Sequence, residues 1–222
     1  MAGHRLGIIA WILAIRMIQT PANVPAADIL NRKVALDRAP RTSADAISLL
    51  LAEAHAPGGM ISIHTGCASP IPHVFLLEET SLKQGLDYVS SVGPIRNWAY
   101  VDGHVEVGLD QAENTILKTI IQDVEILPED PLSLSTQRLF QTPEVQSSIQ
   151  RAKLSEITAE LGFSKISKDP KPASSEGQAS RIHRTSLLDA LNTLATTQTA
   201  VWEYDQFTCN NKASFRVNWV VN

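Results

Sequence analysis

His64, Cys67 and His73 fall within one short stretch and bring together imidazole and thiol groups, the side chains best suited to metal binding or nucleophilic chemistry. The spacing His64-x-x-Cys67 lets two side chains reach one zinc ion, and His55 or His104 could approach from elsewhere in the chain. A zinc site wants three or four protein ligands, however, and only these residues are supplied locally. A nucleophilic Cys67 activated by His64 would also need an orienting carboxylate, which no neighbouring residue provides. The expectation is therefore solvated or hydrogen-bonded loop histidines. A small metal- or cysteine-dependent hydrolase using His64, Cys67 and His73 is the alternative. Glu78-Glu79 and Glu129-Asp130 flank turns and read as surface charge, since paired-carboxylate hydrolysis needs its two acids across a cleft. The sequence has no glycine-rich phosphate loop, HExxH or GxSxG. It thus leads to no catalytic, metal or cofactor residue and to a chain that is not an enzyme.

Four aromatic residues form the other group with recognisable chemistry. Trp98 and Tyr100, and again Trp202 and Tyr204, are two residues apart, so on a strand each pair shares a face. They are the candidate interaction surface. The competing and preferred reading packs them beneath the helices of their own segment, because amphipathic aromatics favour half-buried strands. The basic stretch Ser164–Arg184 has five Lys/Arg against two Asp/Glu and reads as a solvated insertion, with a basic contact patch as the sharper alternative. A net charge of -4 over 222 residues argues against a general electrostatic hold on nucleic acid. With 44% hydrophobic and 19% charged residues, the chain can build a core.

The amino end has the layout of a secretory signal peptide. Arg5 precedes the apolar run Leu6–Ile15, and Val24 and Ala26 suit cleavage after Ala26. The run is too short to span a bilayer, so a membrane enters only through this segment before cleavage. Export would place the chain in the periplasm or beyond, where Cys67 and Cys209 could pair. They are far apart in sequence, and the reading preferred is two independent thiols, because spacing says nothing about their separation in space.

The elements that must position these residues follow from periodicity. Asn31–Asp37 reads as a strand. Thr42 or Ser43 caps a helix over Ala44–Ala54, whose apolar residues recur at helical spacing, and Pro57-Gly58-Gly59 stops it. Met60–Ile63 and Val74–Leu77 read as strands. Thr80-Ser81 caps a helix over Leu82–Ser91, and Asp102-Gly103 turns a hairpin between Trp98–Val101 and Val105–Val107. Asn114–Ile126 is β-branched and predicts one or two strands. Ser133–Phe140 and Pro143–Leu161 predict helices, the second with proline in its first turn. A helix over Leu187–Thr196 and two terminal strands follow.

An internal repeat organises this order. Thr80-Ser-Leu-Lys-Gln-Gly-Leu86 aligns with Thr185-Ser-Leu-Leu-Asp-Ala-Leu191, Val89 with Leu194, and Trp98-Ala-Tyr100 with Trp202-Glu-Tyr204. Each copy has a strand-like segment before it (Val74–Leu77, Ser180–His183). Each has a hairpin after it, turning at Asp102-Gly103 or near Asn210-Asn211.

The residues Lys33–Asp37, Ala44–Ala54, Met60–Ile63, Thr80–Val89 and Trp98–Val107 resemble a secretin and TonB short N-terminal (STN) domain. The family's helix signature S/T-L-x-x-A-L-x-x-L is met from Ser81 to Val89, with Gly85 in place of Ala. Its closing Tyr, Gly and Val correspond to Tyr100, Gly103, Val105 and Val107. Thr185–Val217 resembles the same half-motif more loosely. The resemblance implies an α+β fold of two small βαββαβ-type modules, with helices packed on small mixed sheets and a more divergent second copy. The expected organisation is a signal peptide at 1–26, a first module at 27–110 and a second at 111–222 that contains the insertion 164–184. It implies a non-enzymatic bacterial envelope module that acts by contact with a protein partner.

Overall fold

The computed structural model describes residues 26–36, 40, 42–67, 77–93, 95, 97–127, 130–156 and 180–221. The expected signal segment up to residue 25, His73 and most of the basic stretch lie outside the described residues. The α+β class expected from the sequence is the class observed. Among the described residues no helix is long and apolar enough to cross a membrane.

After a short helix α1 (Ala26–Leu30), the chain runs through β1 (Lys33–Leu36), α2 (Ser43–Glu53), β2 (Gly58–Thr65), β3 (Leu77–Ser81), α3 (Leu82–Val92), β4 (Trp98–Val101) and β5 (His104–Val107). Two short 3₁₀ turns, Leu109–Asn114 and Ile116–Lys118, lead into β6 (Ile120–Ile126). Then come α4 (Leu132–Phe140), α5 (Pro143–Arg151), β7 (Ser155–Glu156), β8 (Ser180–Ser186), α6 (Leu187–Gln198), β9 (Ala200–Cys209) and β10 (Lys212–Val221). The pairings recur between the halves. β1 pairs antiparallel with β3, as β6 does with β8. β4 and β5 form a hairpin, as do β9 and β10, and β2 and β7 each pair parallel with the second hairpin strand of their half.

The repeat reaches individual hydrogen bonds. Ser81 accepts from the Gln84 N–H and Ser186 from the Asp189 N–H, each capping the following helix. At the same step the Leu82 N–H donates to Arg32 O at 2.9 Å, and the Leu187 N–H to Thr119 O at 2.9 Å. Both hairpins turn on two left-handed residues, Asp102 (φ 46°) with Gly103 (φ 92°), and Asn210 (φ 52°) with Asn211 (φ 62°). Such turns match the right-handed twist of the flanking strands.

One six-stranded sheet joins the halves, in the order β4-β5-β2-β9-β10-β7. The junction is a parallel pair in which β2 runs beside β9 from Gly58↔Val201 to Thr65↔Thr208. Side chains alternate across a sheet, so each half sends residues into the other's core. Val201 of β9 is buried in the first core, beside Leu50, Leu51, Met60 and Val105. Ile61 of β2 is buried in the second, with Leu191, Trp202, Tyr204 and Phe215.

Four elements differ from the sequence reading. The helix expected over Pro143–Leu161 ends at Arg151. Lys153 adopts a left-handed conformation (φ 52°), and the Leu154 N–H returns to Ile149 O at 3.1 Å, which closes the helix and frees Ser155–Glu156 to join the sheet. The strand expected from Asn114 starts only at Ile120, because Thr115 accepts from the Leu117 N–H and starts a 3₁₀ turn instead. The strand expected at Val74–Leu77 is observed at Leu77–Ser81, and 68–76 are outside the described residues. The carboxyl end of the expected insertion, from Ser180, forms β8 against β6.

Candidate functional site

The residues singled out for chemistry do not assemble as a catalytic group. His64 sits near the end of β2, and β9 beside it ends at Cys209. Two residues past Thr65, Cys67 meets Cys209 in a disulfide with Cα atoms 4.7 Å apart. The expectation of two independent thiols is therefore corrected. Parallel pairing of β2 with β9 delivers the two cysteines to the same end of the sheet, a proximity that a separation of 142 residues conceals. Bonded in this way, Cys67 has no thiolate to offer a substrate or a metal. Among the described residues no group of three or more His, Cys, Asp or Glu side chains could hold a metal ion.

The four aromatics separate into two pairs. Trp202 and Tyr204 are 1% and 0% exposed, so they belong to the second core and cannot serve as an interaction surface. Gly59 lies opposite Trp202 in the register, and the indole rests on the space that a side chain at residue 59 would fill. Burial raises the Tyr204 hydroxyl well above its ordinary pKa, and that hydroxyl donates to Gln206 Oε1 at 2.7 Å. Trp98 and Tyr100 are half-buried on β4, which forms one end of the sheet, and the Trp98 indole N–H donates to Asp87 Oδ1 at 3.0 Å. Lys83, hydrogen-bonded to the Asp87 carboxylate, and Trp98 together hold its pKa below the ordinary range.

Two polar constellations at the β2–β9 junction are absent from the sequence reading. On the face that carries Val201, the Asp205 carboxylate is 1% exposed. It lies 3.1 Å from His64 Nε2 on β2 and 2.8 Å from Arg216 Nη2 on β10. Phe207 stacks on His64 with ring centroids 5.7 Å apart and lies 6.0 Å beneath the Arg216 guanidinium carbon. Glu203, on the same face, has its pKa pushed up to about 7. Burial is the main cause and the neighbouring Asp205 charge adds to it, while Arg216 and Asn218 oppose it.

The opposite face holds a chain of hydrogen bonds beneath α6. His104 Nε2 lies 2.9 Å from Glu106 Oε1, and the same oxygen accepts from Asn192 Nδ2 at 2.7 Å. Asn192 Oδ1 in turn accepts from the Trp202 indole N–H at 2.9 Å. All four residues are buried. Two signals were open to sequence reading: Glu106 interrupts the apolar Val105-Glu106-Val107, and Asn192 stands four residues after Leu188 on the buried face of α6.

Both constellations consist of groups that satisfy one another. Asp205 orients His64 and Arg216, and Asn192 bridges a carboxylate and an indole. This chemistry fixes strand register and helix position. Comparisons with family models, with curated proteins and with solved structures return no match to this chain.

Proposed function

We propose that the chain is an exported, non-enzymatic envelope module, built like two STN-type units, 27–110 and 111–222, that works by binding another protein. The observation that carries this reading is the recurrence of one order of strands and helices in both halves, with the same pairings. The Cys67–Cys209 disulfide supports export, since such bonds persist in oxidising compartments. Cys67 is engaged in that bond, which favours a binding role over the nucleophilic one.

The partner adds a strand along β4. This strand ends the sheet among the described residues and presents Val101 at 38% exposure, beside the half-buried Trp98 and Tyr100. The test is fractionation of bacteria expressing the full chain, together with a photo-crosslinking residue at Val101 and, as a control, at Ser91 on α3. The mature chain should be found in the periplasm, with a discrete adduct formed from Val101 and not from Ser91. A cytoplasmic chain without the disulfide, or no adduct specific to Val101, would overturn the proposal.

A further inference from the structure

The repeat brings out a difference between the halves at the carboxyl ends of α2 and α5. These ends are built alike. His55 (φ 46°) and Lys153 (φ 52°) are the left-handed residues that close the two helices. The Ala56 N–H returns to Leu51 O, as the Leu154 N–H does to Ile149 O. The backbone bonds from Leu82 to Arg32 and from Leu187 to Thr119 make Arg32 and Thr119 equivalent.

In the first half, Arg32 crosses to the end of α2, where Nη1 donates to Ala54 O at 2.6 Å and to His55 O at 3.1 Å. The counterparts of those acceptors are the carbonyls of Ala152 and Lys153. Thr119 is too short to reach them, and among the described residues no side chain takes the place of Arg32. What stands there is an open groove of about 870 Å³, walled by Thr119, Ile120, Ser148, Arg151 and Ala152, with Glu144 on one side. Ile120 is 47% exposed at its rim.

We propose that this groove binds an arginine side chain of a protein partner, its guanidinium held on the carbonyls of Ala152 and Lys153 as Arg32 is held in the first half. The chain itself supplies the template for this ligand. The carboxyl end of a helix carries partial negative charge and favours cations, and Glu144 adds a full one. Lys118 and Arg151 line the same groove and oppose a cation. Arg151 is directed in part at Ser148 Oγ, to which it donates at 2.9 Å. Ile120 offers the apolar stem of the arginine a surface to lie on. The site lies on a different surface from the β4 edge, so it stands or falls separately from the strand-addition reading.

The experiment is a nitrogen-15 NMR titration of the full chain with N-acetyl-arginine amide, using the citrulline analogue as the uncharged control. Saturable shifts at the amides of Thr119, Ile120, Lys153 and Leu154 are expected at millimolar probe, with none from citrulline. Thr119→Arg places the guanidinium in the groove from within and should abolish the shifts while raising the melting temperature. Glu144→Gln, at an exposed helix start, should weaken binding about three-fold, and Arg151→Gln should tighten it about three-fold by removing a like charge. No saturable shift, equal shifts with citrulline, or loss of binding in Arg151→Gln would overturn the proposal; the last would mark a site for anions.

Discussion

Reduction of the Cys67–Cys209 bond should lower the stability of the whole molecule. The bond closes a loop of 142 residues in the unfolded chain. By chain entropy a loop of that length is worth about 5 kcal/mol at room temperature. Native contacts should survive its loss, because the β2–β9 ladder is formed by residues preceding both cysteines and each core is complete without them. The reduced protein should therefore remain folded and unfold earlier. With a urea dependence of about 3 kcal/mol per molar, the midpoint falls by about 2 M. The assay is urea denaturation followed by tryptophan fluorescence, with and without reductant, and with Cys67→Ala/Cys209→Ala as a variant that reductant cannot alter. Thiol titration of the native, unreduced protein should find no free thiol. Two free thiols in that titration, or a midpoint that reductant leaves in place, would refute the reasoning, since either result would mean that the β2 and β9 ends are not covalently tied.

Three further outcomes follow from the junction. Glu203 should make the protein less stable as pH rises. Its folded pKa of about 7 lies above the ordinary 4.5, so its contribution is fully present below pH 4.5 and is lost as pH rises through 7. That loss amounts to up to about 3 kcal/mol, and Glu203→Gln should flatten this part of a stability profile measured by urea denaturation. Gly59→Ala should cost roughly 1–3 kcal/mol by overpacking, since the new methyl meets the Trp202 indole; a lowered thermal midpoint together with shifted tryptophan emission checks it. Asn192→Leu should cost about 2–4 kcal/mol, because it removes the donor to Glu106 and the acceptor for the Trp202 N–H while both stay buried, as chemical denaturation would show.

Local chemistry was legible in the sequence, and long-range placement was not. Thr42, Ser81 and Ser186 were readable as caps because capping is decided within four residues. The turns at Asp102-Gly103 and Asn210-Asn211 were readable because residues that tolerate positive φ announce themselves. Pro143 marked the start of α5 correctly, but its end depends on Lys153, a residue type with no special liking for the left-handed region. The aromatics misled as a foursome: Trp98 and Trp202 occupy equivalent strands, yet only β9 has a neighbouring strand with a glycine over which an indole can lie. The disulfide and both polar constellations depend on β2 pairing with β9, a contact between distant segments that no local pattern encodes.

The β2–β9 junction accounts for why polar groups concentrate there. A parallel pair between two similar halves is open to slippage, since neighbouring registers offer comparable backbone hydrogen bonds, and a one-residue slip would turn every side chain to the wrong face. Apolar burial alone discriminates weakly among registers that keep the same face. The polar groups discriminate strongly, because a displaced buried charge loses its partner. Only the observed register sets His64 on β2 beside Asp205 on β9 while Arg216 holds the other carboxylate oxygen from β10. On the far face, Asn192 can reach Glu106 and Trp202 together only with β5, β2 and β9 in their present order, and Gly59 must then lie under the indole. Each contact adds modest net stability, but each penalises the misaligned alternatives by the cost of an unsatisfied buried group. The disulfide lies just beyond the last paired residues, Thr65 and Thr208, where it holds that alignment without determining it. The junction is thus specified by polar contacts on both faces and secured covalently at its end.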